Sequence, residues 1–388
     1  MARSTILEHE LSELRLLVER QTGSFLDCPN TSLANHLASY ISAQQMESAA
    51  PLLERLRSSD QDPSLVPEFL EGLLDTTTGF FRHPGAMNAF ARQVLPQLHA
   101  RKTAEGGQVR IWSAGCSTGE EAYSIAMAVC GATPPSNSVN STSNKEKDGK
   151  EKNSNSKDGQ GKERSYPRNG GIAEAIGAAN VQSANDWAVQ IVGSDLLSSA
   201  IQIAERGLYP QSAVDGLPPA AIRACFSKIG AASRVKELEI RSPAAPSNVA
   251  AHVDSDASSL GVFASSDSAS NSEATQPLVR PLQNSAGTHL LVKARLRSMV
   301  TFNTMNLVRP VYIGRFDCIF CMDVLPSLSR AQRSALIERL HLYLEPGGYL
   351  FLSQTEKLSA PSLNFRSETF DGYTFHRKPL AASAAYGR

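Results

Sequence analysis

Between Val109 and Ile125 the chain reads Val-Arg-Ile-Trp-Ser-Ala-Gly-Cys-Ser-Thr-Gly-Glu-Glu-Ala-Tyr-Ser-Ile, an apolar strand, a turn of small residues and a helix opening on two acids. A strand feeding a helix through such a turn sets the turn at the carboxyl edge of a parallel sheet, where nucleotide-type cofactors bind. The charge argues against a phosphate. No Lys follows the glycine, and Glu120 and Glu121 would repel a pyrophosphate but suit a cofactor with an amino group or a sulfonium. S-adenosylmethionine meets that requirement.

Asp195 is the second candidate. Gly119 and Asp195 lie 76 positions apart, and a polar stretch of 56 residues from 131 to 186 intervenes, leaving 20. About 20 is the separation at which an acid ending strand two meets ribose hydroxyls in Rossmann-type sites. Asp195 also precedes the helical run Ser198 to Arg206, so a helix-capping role is compatible with a ribose role.

Together with Thr76-Thr77-Thr78-Gly79-Phe80-Phe81-Arg82, the run around Trp112 resembles the CheR-type protein-glutamate O-methyltransferases, which use S-adenosylmethionine to methylate glutamates of bacterial chemotaxis receptors. The resemblance implies that Thr76, Thr78, Arg82, Ala114, Gly115, Ser117, Glu120, Asp195, Asn306, Leu307 and Asp323 surround the cofactor. Within that set it implies Glu120 at the cofactor's amino end, Asp195 at the ribose, and Asn306 with Leu307 near the adenine. Arg82 is implied beside the transferred methyl, as the catalytic residue that orients the attacking carboxylate. The implied partner is an acidic, helical, chemoreceptor-like protein. A small antiparallel β-subdomain is implied after strand two, although the Ser-rich stretch 241–285 falls within it.

Two departures from the family pattern bear on function. Where the family reads Cys-Arg-Asn-Val-Leu-Ile-Tyr-Phe, this chain reads Cys321-Met322-Asp323-Val324-Leu325-Pro326-Ser327-Leu328. Ser327 is too short to fill a tyrosine's place, and Asp323 can either hold a sulfonium or repel an incoming glutamate. The second helix, Asn35 to Gln44, also lacks the family's arginines, which removes steering toward an acidic receptor. Two alternatives to glutamyl methylation stay open: a degenerate cofactor-binding signalling module, or a methyltransferase with a different acceptor.

The surrounding elements must hold these residues in place. Apolar residues recur at helical spacing from Ile6 to Leu73, which predicts a helical domain over residues 1–80 ahead of a methyltransferase domain over 81–388. Strands are expected at 109–112, 188–195, 316–321, 349–352 and 373–376, with helices at 120–130, 198–206 and 330–344 and a turn at 345–348. The fold class is α/β, the doubly wound sheet of class I methyltransferases. The stretches 131–186 and 241–285 are too poor in large apolar residues to form core, and 131–186 is expected to be disordered.

Composition narrows the rest. With 38 basic and 38 acidic residues the net charge is zero, which argues against nucleic acid as a partner. No apolar run reaches 18 residues, so membrane insertion is not expected, and six scattered cysteines suit a reducing, cytoplasmic setting. Cys318-Ile319-Phe320-Cys321 lies in an apolar strand, where positions three apart face opposite sides, so no metal site is expected there or among the eight histidines. The oligomeric state is left open.

Overall fold

Alternation and apolar runs build the strands, and a computed structural model of the chain arranges them in two sheets. It describes residues 6–58, 65–71, 73–74, 76–131, 188–229, 288–309, 313–358 and 362–380. The expected insertions, Gly131 apart, lie outside these residues.

Helices come first: α1 (Glu8–Thr22), α2 (Asn30–Ala43), α3 (Ala50–Arg57) and α4 (Leu65–Leu70). In α1, Leu11, Leu14, Leu17 and Val18 are buried at helical spacing, and the helix stops at Gly23, whose φ of 71° suits glycine. The four helices share one apolar cluster, into which Leu197 and Ala200 also reach. Next, α5 (Pro84–Ala89) runs through a π-helical turn at Phe90–Val94 into α6 (Leu95–Glu105), a helix that the sequence expectations passed over. Its Phe90 packs edge-on against Phe320 and Phe351.

The strands are β1 (Val109–Ala114), β2 (Val189–Asp195), β3 (Leu208–Pro210), β4 (Phe226–Ile229), β5 (His289–Val292), β6 (Val300–Thr304), β7 (Phe316–Phe320), β8 (Leu344–Phe351), β9 (Arg366–Phe370) and β10 (Tyr373–Arg377). Between them lie α7 (Glu120–Gly131), α8 (Ser198–Arg206), α9 (Pro219–Cys225), α10 (Ala294–Arg297) and α11 (Arg330–Tyr343). The large sheet has the order β6-β2-β1-β7-β8-β10-β9. Its first five strands run parallel, and β10 and β9 are antiparallel. This is the class I methyltransferase plan. After β1 the chain builds outward through β2 and β6, then returns to the other side of β1 with β7, so a crevice opens above β1 and β7.

The structure departs from these expectations at three places. Residues 299–302 follow the stretch at which the β-subdomain is implied, yet Val300–Thr304 pairs in parallel with Ile191–Asp195 of the large sheet. The smaller sheet is β3-β5-β4. Residues 345–348 are not a free turn but a bulge inside β8, where the pairing with β7 jumps from Phe316↔Leu344 to Cys318↔Tyr349. Gly347 and Gly348 bond the backbone of Lys378, which keeps the bulge within the ladder. The strand β9 was not foreseen, although Asp371-Gly372, both at positive φ, form the tight turn that joins it to β10.

Cys318 and Cys321 are fully buried in separate apolar clusters on either side of the sheet, and burial pushes both thiols well up.

Candidate active site

The turn after β1 is shaped by backbone rather than side chains. The N–H groups of Gly115 and Cys116 both donate to the Ser194 carbonyl, at 2.8 and 2.9 Å, which ties the turn to the end of β2. Gly115 has φ of 86°, and a Cβ there would stand 2.5 Å from the Val324 side chain. Ser117, at φ 47°, is one of three non-glycine residues at positive φ that line a single cavity, the others being Phe81 and Asp323. Strained backbone of this kind gathers where a ligand is held.

The cavity, about 370 Å³, lies at the carboxyl edge of β1, β2, β6 and β7. The turn contributes Gly115, Cys116 and Ser117, and β2 contributes Asp195 with Leu196 and Leu197. Met305 to Val308 follow β6, while Met322, Asp323 and Val324 follow β7. The segment from Thr76 to His83 closes one wall. It is fixed by Ser117 Oγ donating to the Thr76 carbonyl at 3.0 Å and by the Phe81 N–H donating to Ser124 Oγ at 2.9 Å.

Asp195 serves two backbone donors. Its Oδ2 accepts from the Ser117 N–H at 2.9 Å and its Oδ1 from the Leu197 N–H at 3.0 Å, so it braces the turn and the entry to α8 together. Burial pushes its carboxyl up, and those two N–H groups pull it back down.

Of the residues named from sequence, the cavity brings together Thr76, Thr78, Arg82, Gly115, Ser117, Asp195, Asn306, Leu307 and Asp323, and its lining does not include Ala114 or Glu120. Glu120 accepts from Thr118 Oγ1 at 2.7 Å and is 7% exposed. The acid that lines the cavity is its neighbour Glu121, whose Oε1 accepts from Ser113 Oγ at 2.7 Å. Consecutive helical residues point about 100° apart, so a pair of acids at a helix start can send only one into the crevice.

Asn306 has a more mechanical role than its place in sequence suggests. Its Nδ2 donates to the Gln21 carbonyl at the end of α1, and its Oδ1 accepts from the Val308 N–H, each at 2.9 Å. The loop after β7 is fastened to the same helix end, through Phe25 N–H to the Ser327 carbonyl and Ser329 N–H to the Gly23 carbonyl. Thr22 and Ser24 thereby join the cavity lining, which no sequence motif announces.

Comparison with known proteins meets this geometry. A family model described as the SAM-binding domain of CheR methyltransferases matches residues 76–141 and 253–373. Over those residues the chain is similar to the cofactor domain of the CheR methyltransferases. Chemotaxis protein methyltransferase 1 of Pseudomonas aeruginosa is 26% identical over 349 residues, 89% of each chain. A probable chemotaxis protein methyltransferase of Rhizobium etli is 22% identical, covering 82% of this chain and 81% of its own. The chemotaxis protein methyltransferase of Borreliella burgdorferi is 21% identical, with 91% and 89% covered.

The cofactor is S-adenosylmethionine, and the donor set fits it. Ammonium and sulfonium ask for acids, ribose hydroxyls for a carboxylate, and adenine for apolar walls. The cavity lining supplies such groups: the carboxylates of Glu121 and Asp195, and apolar side chains at Leu196, Met305 and Leu307.

Burial, opposed by the Ser113 hydroxyl, raises the Glu121 carboxyl to about 7. Its folded value therefore lies above the unfolded one, and the stability linked to its neutral form is lost as pH rises toward 7. A bound cation favours the ionised form. S-adenosylmethionine affinity is accordingly expected to rise about tenfold from pH 5.5 to 7. Glu121→Gln should flatten the slope in calorimetric titrations.

Proposed function

We propose that the protein transfers the methyl group of S-adenosylmethionine to glutamate side chains of a chemotaxis-type signalling protein, forming methyl esters. The observation that carries this reading is Arg82, held at the wall of a cofactor cavity by the post-β7 loop and by its own segment. Its Nη1 donates to the Thr77 carbonyl, and its Nε stands 3.4 Å from Asp323 Oδ2. The names of the relatives supply the chemotaxis context.

When bound, the cofactor supplies a methyl already activated by its sulfonium. A glutamate is ionised at neutral pH, so no proton has to be removed before attack. This chain's task is placement. Arg82 orients the acceptor carboxylate, Asp195 and the turn it braces hold the cofactor, and Phe81 and Met322 limit water at the reacting centre. The loop fastened to α1 makes the helical unit part of the wall, so a partner docked there would complete the enclosure. Localisation in the cytoplasm belongs to the same proposal; among the described residues no helix is long and apolar enough to cross a membrane.

A degenerate binding module is the competing reading, motivated by Ser327. Its Oγ bonds the Val324 carbonyl at 2.8 Å within a short 3-10 turn, so nothing of a tyrosine's bulk fills the cavity there. Peptide mapping of an incubated acceptor decides between them. Methyl groups on glutamate side chains, lost in mild alkali, are expected; cofactor binding without such groups, in the wild type and in Ser327→Tyr alike, would support the module.

A further inference from the structure

At the cavity wall an arginine and a histidine meet on one aspartate oxygen. Asp323 Oδ2 lies 3.0 Å from His83 Nε2 and 3.4 Å from Arg82 Nε. Arg82 and His83 come from the segment after Gly79, and Asp323 from the loop beyond β7. Asp323 holds this place with φ of 59°, a backbone conformation uncommon outside glycine, and one that Asp and Asn tolerate better than most residues. The geometry therefore aims a carboxylate at the guanidinium that, on the reading above, receives the acceptor's carboxylate.

We propose that Asp323 is a specificity-determining residue, an internal carboxylate that competes with the acceptor glutamate for Arg82. His83 keeps it in position by holding the same oxygen. The inference rests on Arg82 being the acceptor's anchor. An anionic acceptor must displace Asp323, whereas a neutral one gains nothing from doing so. The site consequently disfavours loosely presented carboxylates and admits those that a docked partner delivers at high local concentration. The Arg82 and Asp323 side chains are 42% and 40% exposed, so solvent screens the pair and makes it displaceable. That sets the expected effect at about three- to fivefold.

The test uses the full-length protein with S-adenosylhomocysteine, and a helical peptide carrying one central glutamate, with its glutamine counterpart as control. Asp323→Asn keeps the side chain's shape, and asparagine suits the positive φ, so folding is retained. Glutamate-peptide binding should tighten about three- to fivefold in Asp323→Asn, with no change for the glutamine peptide. The gain should vanish when Arg82→Ala is added. Unchanged or weaker glutamate-peptide binding in Asp323→Asn overturns the proposal, as does a gain that persists without Arg82. Methyl-ester formation is scored separately. A binding gain without esters would leave the competition standing and remove the glutamyl-ester reading, whereas esters without a gain would do the reverse.

Discussion

Asp195→Ala is expected to weaken S-adenosylmethionine binding about 100-fold, the largest change in function for any single substitution here. Two losses combine. The Ser117 and Leu197 N–H groups lose their acceptor oxygens, which loosens the turn after β1 and the start of α8. The cofactor's ribose, on the reading proposed, loses its carboxylate as well. Hydrogen bonds to a charged group contribute roughly 1.5–3 kcal/mol each, so about 3 kcal/mol is a modest estimate for the set. Calorimetric titration checks it, and a loss below about threefold would show that Asp195 only caps α8. Asp195→Asn, which keeps one acceptor oxygen, should fall between.

Asp317→Ala should produce the largest loss of stability while leaving the cofactor cavity intact. The Asp317 side chain is 2% exposed at the start of β7, the end of the sheet opposite the cavity. It meets Arg101 Nη2 at 2.7 Å and Lys102 Nζ at 3.0 Å, and accepts from the Arg110 N–H at 3.0 Å. Its removal strands two partly buried cations and a strand-edge donor, a change that costs about 3–5 kcal/mol. The thermal midpoint should fall by roughly 10 °C, with S-adenosylmethionine affinity at low temperature changed less than about twofold. Thermal unfolding followed by circular dichroism, with a titration at 10 °C, separates this outcome from a defect at the site.

The contrast between these aspartates shows what sequence could and could not reveal. Asp195 was legible because it ends an apolar strand at a spacing that fits the cofactor turn once the polar stretch is set aside. The parallel strands were equally plain, since buried strands read as short apolar runs bounded by turns. Asp317, by contrast, sits inside such a run, and its partners lie more than 200 positions away in α6 and β1. Long-range ion pairing leaves no local pattern.

The same limit explains the acids after Gly119. Spacing places a carboxylate at the helix start, but which of Glu120 and Glu121 faces the crevice depends on helical phase, fixed only when α7 packs on the sheet. His83 carries no local signal for a related reason. It gains meaning from Asp323, 240 positions on, and neither residue forms a motif with its neighbours. The latch between Asn306 and the end of α1 belongs to the same class, because it joins two units whose sequence signatures are separate. The stretches 131–186 and 241–285 carry a compositional signal alone and, Gly131 apart, lie outside the described residues.

Transfer of labelled methyl from S-adenosylmethionine into the acidic proteins of a native lysate, scored as volatile methanol released by mild alkali, tests the central claim most directly. Release well above that of the Asp195→Ala protein is the expected result, because an ester on a carboxylate yields methanol under those conditions and a methylated amine does not. Label incorporated but stable to alkali would contradict carboxyl methylation, and no incorporation despite tight cofactor binding would contradict catalysis altogether.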